Sequence, residues 1–490
     1  MDDNEILVTE NTQEIGQEMV VKSALKSDKM RHMPVGKLLF TMSLPAVISM
    51  MVQALYNIVD SLYVSHIPNY GQDAIDAVAI AFPIAMIVNS LAIGIGVGAN
   101  ATIARKLGER NQKDADGTAK TAIIIAFCSW IVIAILGLLV SRTYITTFVN
   151  SQEGYTAEQI NRVIENGIDY LTVYTVASLG VFMELTCIRI LQSTGNMKVP
   201  MISQLAGALC NIVLDPVFIF TLNMGVKGAA IATVISQWVA GGIGLITLFM
   251  GRQDVNISLR GFRPRAYYFR EIARIGIPTF LMNAVMSFTT IILQSLLGKY
   301  SGGITILAIY GKLQSFVYMI VFGMTQGATP ILAYNYGANN RARFDRTVKI
   351  ALCTASIILG LGMVVFLTIP HTLIGMFGGM DSIQDTAAHA FRIISLAFIP
   401  SSLGIMIVTI FQSLGKAVHS MAISITRTVG LVVPLAFILD MLWGLSVIWW
   451  CYVMAEVLSI LIFLPICIRT INKQFIRKQL QYQTNTLTST

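Results

Sequence analysis

The chain has 490 residues, of which 55% are hydrophobic and only 12% charged, and it carries a net charge of +8. A soluble domain carries roughly 25% charged residues, so a mean hydropathy of +0.68 excludes a globular soluble protein and points to an all-α integral membrane fold. The basic balance has no nucleic-acid motif beside it and reads instead as charge flanking a membrane.

The stretch 1–34 is mostly polar and shows no cleavable signal sequence, so the first apolar run is expected to insert the chain. Twelve apolar runs follow, at about 37–65, 74–103, 118–141, 167–188, 199–222, 226–250, 271–298, 304–332, 347–370, 386–412, 417–439 and 444–468. Each is near the roughly 20 residues that cross a hydrocarbon core. Continuous runs of this length predict transmembrane helices, because barrel strands alternate and are about half as long. An even number of spans puts both termini on one side. The connections after even-numbered spans hold most Lys and Arg: Arg105, Lys106, Arg110 and Lys113; Arg252, Arg260, Arg263, Arg265 and Arg270; Arg341, Arg343 and Arg346. The opposite connections hold chiefly Arg142, Arg162, Lys227 and Lys299. The basic side is expected to be the cytoplasm, with the chain in the plasma (inner) membrane.

The expected organisation is a cytoplasmic tail over 1–36, an N-lobe over 37–250 and a linker over 251–270. A C-lobe over 271–468 and a second cytoplasmic tail over 469–490 complete it. Both tails are expected to be mobile. Six cysteines lie in or beside apolar runs without a CxxC pair, so neither zinc nor a disulfide framework is indicated.

The two halves repeat. Gly98, Gly108, Asn111, Asp116, Thr118 and Lys120 match Gly327, Gly337, Asn340, Asp345, Thr347 and Lys349, and Gln192-Ser193-Thr194-Gly195 answers Gln412-Ser413-Leu414-Gly415. Six spans per repeat preserve orientation, which implies two lobes related by a pseudo-two-fold axis along the membrane normal, a common build for secondary transporters. No Walker A sequence accompanies them, which argues against a self-powered pump.

A carboxylate at the bilayer centre costs roughly 2.5–3.5 kcal/mol on insertion scales, so embedded ionisable residues need a reason. The candidates are Asp60, Glu184, Asp215, Lys312, Arg427 and Glu456. Gln53, Tyr56 and Asp60 follow helical spacing and share a face with Asn57 nearby. Asn211 and Asp215 lie one turn apart, and Pro216 can open the helix and free carbonyl oxygens. Two acids, an amide and free carbonyls suit a small hard cation or a shared proton; structural ion pairing is the bland alternative. Glu184 divides between cavity lining and pairing. Lys312, Arg427 and Glu456 read as structural pairs. Met282, Met286, Phe288, Tyr310, Phe316, Tyr318 and Phe322 would suit a cavity for bulky apolar cations, although helix packing is their commoner fate. The positions answering Asp60 and Asp215 in the second half fall near Leu293 and Leu435, so the acidity is concentrated in the first.

These residues resemble the multidrug and toxic compound extrusion (MATE) transporters of the MOP flippase superfamily, specifically their bacterial and archaeal DinF-like branch. The resemblance runs from about Lys37 to Arg469. It is carried by SLP at 43–45, QALYNIVD at 53–60, GANATIARKLG at 98–108, NIVLDPVFIF at 211–220 and GVKGAAIATVIS at 225–236. It implies a coupling site for H⁺ or Na⁺ at Asp60, Asn211, Asp215 and Thr233, polar lining at Gln53 and Tyr56, and a first-helix hinge at Pro45. Spans seven and ten lack the embedded acids of the NorM-like branch. The implied function is a cation-coupled antiporter that exports organic cations and amphipathic drugs by alternating access. It would not be an enzyme, and would need no cofactor beyond the coupling ion, no nucleic acid and no obligatory protein partner; membrane lipid surrounds it. The alternative is a flippase for a lipid-linked saccharide, with Lys312, Arg392 and Arg427 as cations for a pyrophosphate. A channel or receptor without coupled transport fits the duplication and the paired acids less well.

Overall fold

Apolar runs without water must satisfy every backbone N–H and C=O within the segment, and helices do so. The computed structural model describes residues 29–67, 71–150, 156–250, 254–300, 302–376 and 383–488; the expectations for residues 1–28 and 251–253 fall outside them. The first six-span unit comprises α1 (Val35–Ser65), α2 (Gly71–Gly108), α3 (Gln112–Asn150), α4 (Ala157–Val176), α5 (Leu179–Ser193), α6 (Lys198–Pro216) and α7 (Gly225–Phe249). The second comprises α8 (Ala266–Leu297), α9 (Gly303–Gly337), α10 (Arg341–Thr368), α11 (Pro370–Gly375), α12 (Gln384–Ser395), α13 (Phe398–Ser413), α14 (Ala417–Ile425), α15 (Val433–Trp443), α16 (Leu445–Ile448) and α17 (Trp450–Thr488).

Among the described residues ten helices are long and apolar enough to cross a membrane, or twelve when two bent pairs each count as one span. The fourth and tenth spans, expected to be single helices, are those bent pairs. α4 meets α5 at 45° and α12 meets α13 at 47°. At the first bend the Ser178 hydroxyl donates to the Thr175 carbonyl at 2.7 Å, a local bond that competes with the helical ladder. At the second, Pro400 brings no N–H to the ladder just past the bend. Pro216 has the effect its sequence predicts. A π turn, Val217–Thr221, follows it, and the Leu222 N–H reaches back to the Val217 carbonyl. A π stretch at Thr426–Val432 interrupts the corresponding helix of the C-lobe.

The lobes meet along a glycine seam. A Cβ at Gly98 on α2 would stand 2.5 Å from the Ile272 carbonyl oxygen on α8, and one at Gly327 on α9 would stand 2.6 Å from the Ser43 hydroxyl on α1. Gly94 faces Gly276, and Gly323 faces Val47. Gly108 abuts the Tyr334 carbonyl, and Gly337 abuts the Arg105 carbonyl. Only hydrogen fits at these seven glycine positions. Each contact has a counterpart 229 positions along the chain, as Gly94 is to Gly323 and Val47 to Gly276. The duplication therefore extends to the interface. All six contacts lie toward the end of the bundle where the chain enters α1 and leaves α17. An ion pair from Arg105 to Glu271 bridges the lobes at the same end.

Two boundaries differ from the sequence reading. α8 begins at Ala266, inside the expected linker, and α17 continues to Thr488, through the stretch expected to be a mobile tail. Lys478 explains the second difference. Its ammonium donates to the Tyr336 and Gly337 carbonyls at 3.0 and 2.8 Å and pairs with Glu109 at 2.9 Å. At the other terminus the Arg343 guanidinium donates to the Met30 and Met33 carbonyls, and Met30 is buried.

Candidate functional site

The N-lobe holds the embedded acids. On α1, Gln53, Tyr56 and Asp60 occupy successive turns of one face. Asp215 closes the last turn of α6 and is fully buried, with Asn211 buried one turn earlier. The Asn211 amide donates to Asp215 Oδ1 at 3.1 Å. The carboxyls of Asp60 and Asp215 lie close enough to interact directly. Three buried oxygens here, Asp60 Oδ1, Asn211 Oδ1 and Asp215 Oδ2, accept no hydrogen bond among the described residues. Orphaned buried acceptors are costly, and oxygens so arranged can take a proton, or a cation that favours oxygen ligands. The antiparallel register of α6 and α7 sets Gly207 against Ser236 and Ala240, which puts half-buried Thr233 at the level of Asn211.

Beside these acids lies a polar cavity of about 180 Å³. Gln53, Tyr56 and Glu184 line it, together with Arg189, Gln204 and Gln237. Tyr56 lies within electrostatic reach of Gln53, Glu184 and Asp60. Tyr56 thus stands between the cavity and the acid pair. The Glu184 backbone is pressed against Gly241 of α7, which fixes where its side chain enters. Neither Glu184 nor Arg189 forms an ion pair among the described residues. The floor crosses the lobe boundary. Arg189 donates to Gln192, Gln192 to Gln326 of α9, and Gln326 to the Met50 sulfur.

Met282 and Met286 do not line this cavity. Both sit on α8, and Met286 is exposed. The side chain of Asn57 lies outside what the structure describes. Pro45 lies within a continuous α1, where its carbonyl accepts the Ser49 hydroxyl at 3.0 Å. In the C-lobe, Arg427 pairs with Glu456 at 3.2 Å, as read from sequence, whereas Lys312 and Arg392 are exposed and unpaired among the described residues. Tyr310 packs against Phe366, Phe391 and Tyr452, and Tyr318 against Phe398, which is the packing fate.

Sequence reasoning missed part of the network. Tyr174 accepts from the Asn89 amide at 2.8 Å and lies within electrostatic reach of Gln237. Tyr170 stacks on Tyr174 with ring centroids 6.2 Å apart and lies within reach of Asp60 and Asp215. The signal was available: each is a polar group inside an apolar run, the criterion that selected Gln53.

Comparison with known proteins agrees with this architecture. The chain is 28% identical over 432 residues to the multidrug export protein MepA of Staphylococcus aureus strain MSSA476, covering 87% of this chain and 92% of that protein. MepA of Staphylococcus haemolyticus is 25% identical over 425 residues, covering 86% and 90%. Among solved structures, an outward-facing multidrug resistance MATE transporter of the MOP superfamily superposes with a TM-score of 0.84 at 25% identity, covering 91% of this chain and 98% of that one. A MOP superfamily transporter from Pyrococcus furiosus, described as having a binding pocket of reversed polarity, gives 0.83 at the same identity and coverage. With its apolar helices, the chain is a multi-pass membrane protein of two lobes. Residues 45–217 and 278–438 match the MatE family, and the chain belongs to that family of transporters.

Proposed function

We propose that this protein exports organic cations and amphipathic drugs across the plasma membrane, driven by inward movement of H⁺ or Na⁺ at Asp60, Asn211, Asp215 and Thr233. The observation that carries the reading is the set of orphaned oxygens on Asp60, Asn211 and Asp215, buried in one lobe beside a polar cavity. The similarity to MepA supports the substrate class.

With the termini in the cytoplasm, the glycine seam closes the cytoplasmic end. A proton or Na⁺ arriving from outside neutralises the acid pair. Tyr56 and Gln53 sit between that pair and the cavity, so the charge change is felt where substrate binds. Export requires only that the ion and the substrate prefer different lobe arrangements, since a ligand shifts such an equilibrium by its differential affinity alone. Pro45, which interrupts the ladder of α1 below this face, is the hinge in this scheme.

The test is ethidium efflux into everted vesicles under an imposed proton or sodium gradient, comparing wild type with Asp60→Asn and Asp215→Asn. Gradient-driven uptake by wild type and its loss in both variants is the expected result. Normal uptake in both variants would reject the site. Failure of every gradient to move drugs, with translocation of a lipid-linked saccharide in the same vesicles, would replace export by the flippase reading.

A further inference from the structure

A second cavity lies away from the acids, on the outer face where the lobes meet. It has a volume of about 570 Å³, within the roughly 300–1,000 Å³ of typical ligand sites. α2, α3 and α8 form its walls. Leu91, Ile95, Ile125, Val132, Ile277 and Phe280 make it apolar, and Arg265 marks its end.

Its length and polarity are informative together. From Arg265 to Phe280, α8 rises about 22 Å at 1.5 Å per residue. A bilayer core of about 30 Å has leaflets of roughly half that thickness. The groove therefore runs from the headgroup level to near the midplane and spans a single leaflet. At the headgroup level, Arg263, Arg265 and Arg270 are all exposed, and none makes an ion pair among the described residues. Arg265 is the N-cap of α8 with no side-chain cap bond, so the N–H groups of Ala266 and Tyr267 at the start of the helix point the same way and favour an anion. Lys120 lies over the Phe262 ring on the other side, 5.5 Å from its centroid. An apolar slot one leaflet long with a cationic mouth is complementary to an anionic amphiphile.

We infer that this groove is a binding site for an anionic phospholipid, with its phosphate at Arg265 and an acyl chain between α3 and α8. Anionic lipid of the cytoplasmic leaflet is drawn to such basic segments. The occupant touches both lobes beside the Gly94–Gly276 contact, so it braces the seam in this arrangement. The site is separate from the ion and drug sites and does not depend on which ion drives export.

The experiment is photo-crosslinking of the full-length protein in nanodiscs with a phosphatidylglycerol that carries a diazirine on its acyl chain, followed by peptide mapping. Labelling is expected in 121–132 and 264–280, well above that given by the matching phosphatidylcholine. Glycerol phosphate should not compete. Arg265→Gln should reduce the preference for phosphatidylglycerol, and Ala273→Phe, which fills the slot, should abolish labelling while tryptophan fluorescence remains native. Equal labelling by both lipids, labelling outside the two segments, full competition by glycerol phosphate, or undiminished labelling of Ala273→Phe would each overturn the site. Labelling lost only in variants that also lose native fluorescence leaves the wild-type comparison of the two lipids to decide.

Discussion

The two lobes share a backbone plan and differ in how they hold the acids singled out above. In the C-lobe, Glu456 is paired with Arg427, and Asp440 with Lys299 and Tyr300. In the N-lobe, Asp60 and Asp215 face each other with oxygens that nothing among the described residues satisfies. Paired charge inside a membrane holds helices together; unpaired charge is costly and is retained where it moves a ligand. The duplication built the scaffold twice, and among the described residues the acid pair without a cationic partner lies in one copy.

Substitutions can break this comparison. The largest effect is expected on transport. Asp60→Asn or Asp215→Asn should lower gradient-driven ethidium efflux by roughly tenfold or more, the scale of a coupling of about 1–3 kcal/mol, while Asp440→Asn stays near wild type. Comparable losses in both lobes would erase the distinction.

Stability should show the reverse order. Glu456→Gln strands a part-buried guanidinium and should destabilise the protein by roughly 3 kcal/mol, read as a lower Tm in detergent. The double variant Arg427→Met/Glu456→Leu should recover it. Asp215→Asn, which removes a charge without a partner, should leave Tm unchanged or raised. A fall as large as that of Glu456→Gln would show that Asp215 is structurally paired after all.

The seam tests what the lobes have in common. Gly98→Val drives a side chain into the Ile272 carbonyl and Gly327→Val into Ser43; each should cost about 1–3 kcal/mol of overpacking. Spin labels at Lys113 and Arg346 should report a longer, broader distance in both variants. A response to one and not the other would limit the symmetry to the static contacts.

The smallest effect concerns Glu109, beyond the end of α2. Burial alone would raise its carboxyl, but the Lys478 and Lys106 ammonium groups outweigh burial and hold it below the ordinary glutamate value. A depressed folded value means that the stabilisation is fully present above the unfolded value of roughly 4.3. It is lost as pH falls through the lower folded one. Glu109→Gln should cost less than about 1 kcal/mol at neutral pH, because Lys478 keeps two carbonyl acceptors. The Tm difference from wild type should close only in acid; a difference that persists there would mean the pair is not its source.

Span count, helical class and duplication were legible because each depends on chain-local patterns: run length, charge alternation between connections, and matched motifs. The pairing of Asn211 with Asp215 was equally local, one turn on one helix. The two bends were not legible, since Ser178 acts through a single hydrogen bond and Pro400 through a single missing N–H, inside stretches that each read as one span. Tyr170 and Tyr174 carry the same signal as Gln53, a polar group inside an apolar run, but their place near the acids depends on α4 packing against α2 and α7, which no spacing states. The helical extension to Thr488 rests on Lys478 reaching carbonyls 141 and 142 positions away, and a Gln- and Thr-rich composition conceals that.

The glycine seam has the form of an isologous dimer interface written into one polypeptide. In such an interface every contact occurs twice, so a change at one locus in a homodimer is felt at two places. Once the copies were fused, each member of a contact pair became free to vary alone. The Arg105–Glu271 bridge uses that freedom: the positions 229 residues away, Tyr334 and Met42, carry no charge. Fusion thus allowed a symmetric contact surface to acquire an asymmetric clasp, an option closed to a two-chain ancestor encoded by a single sequence.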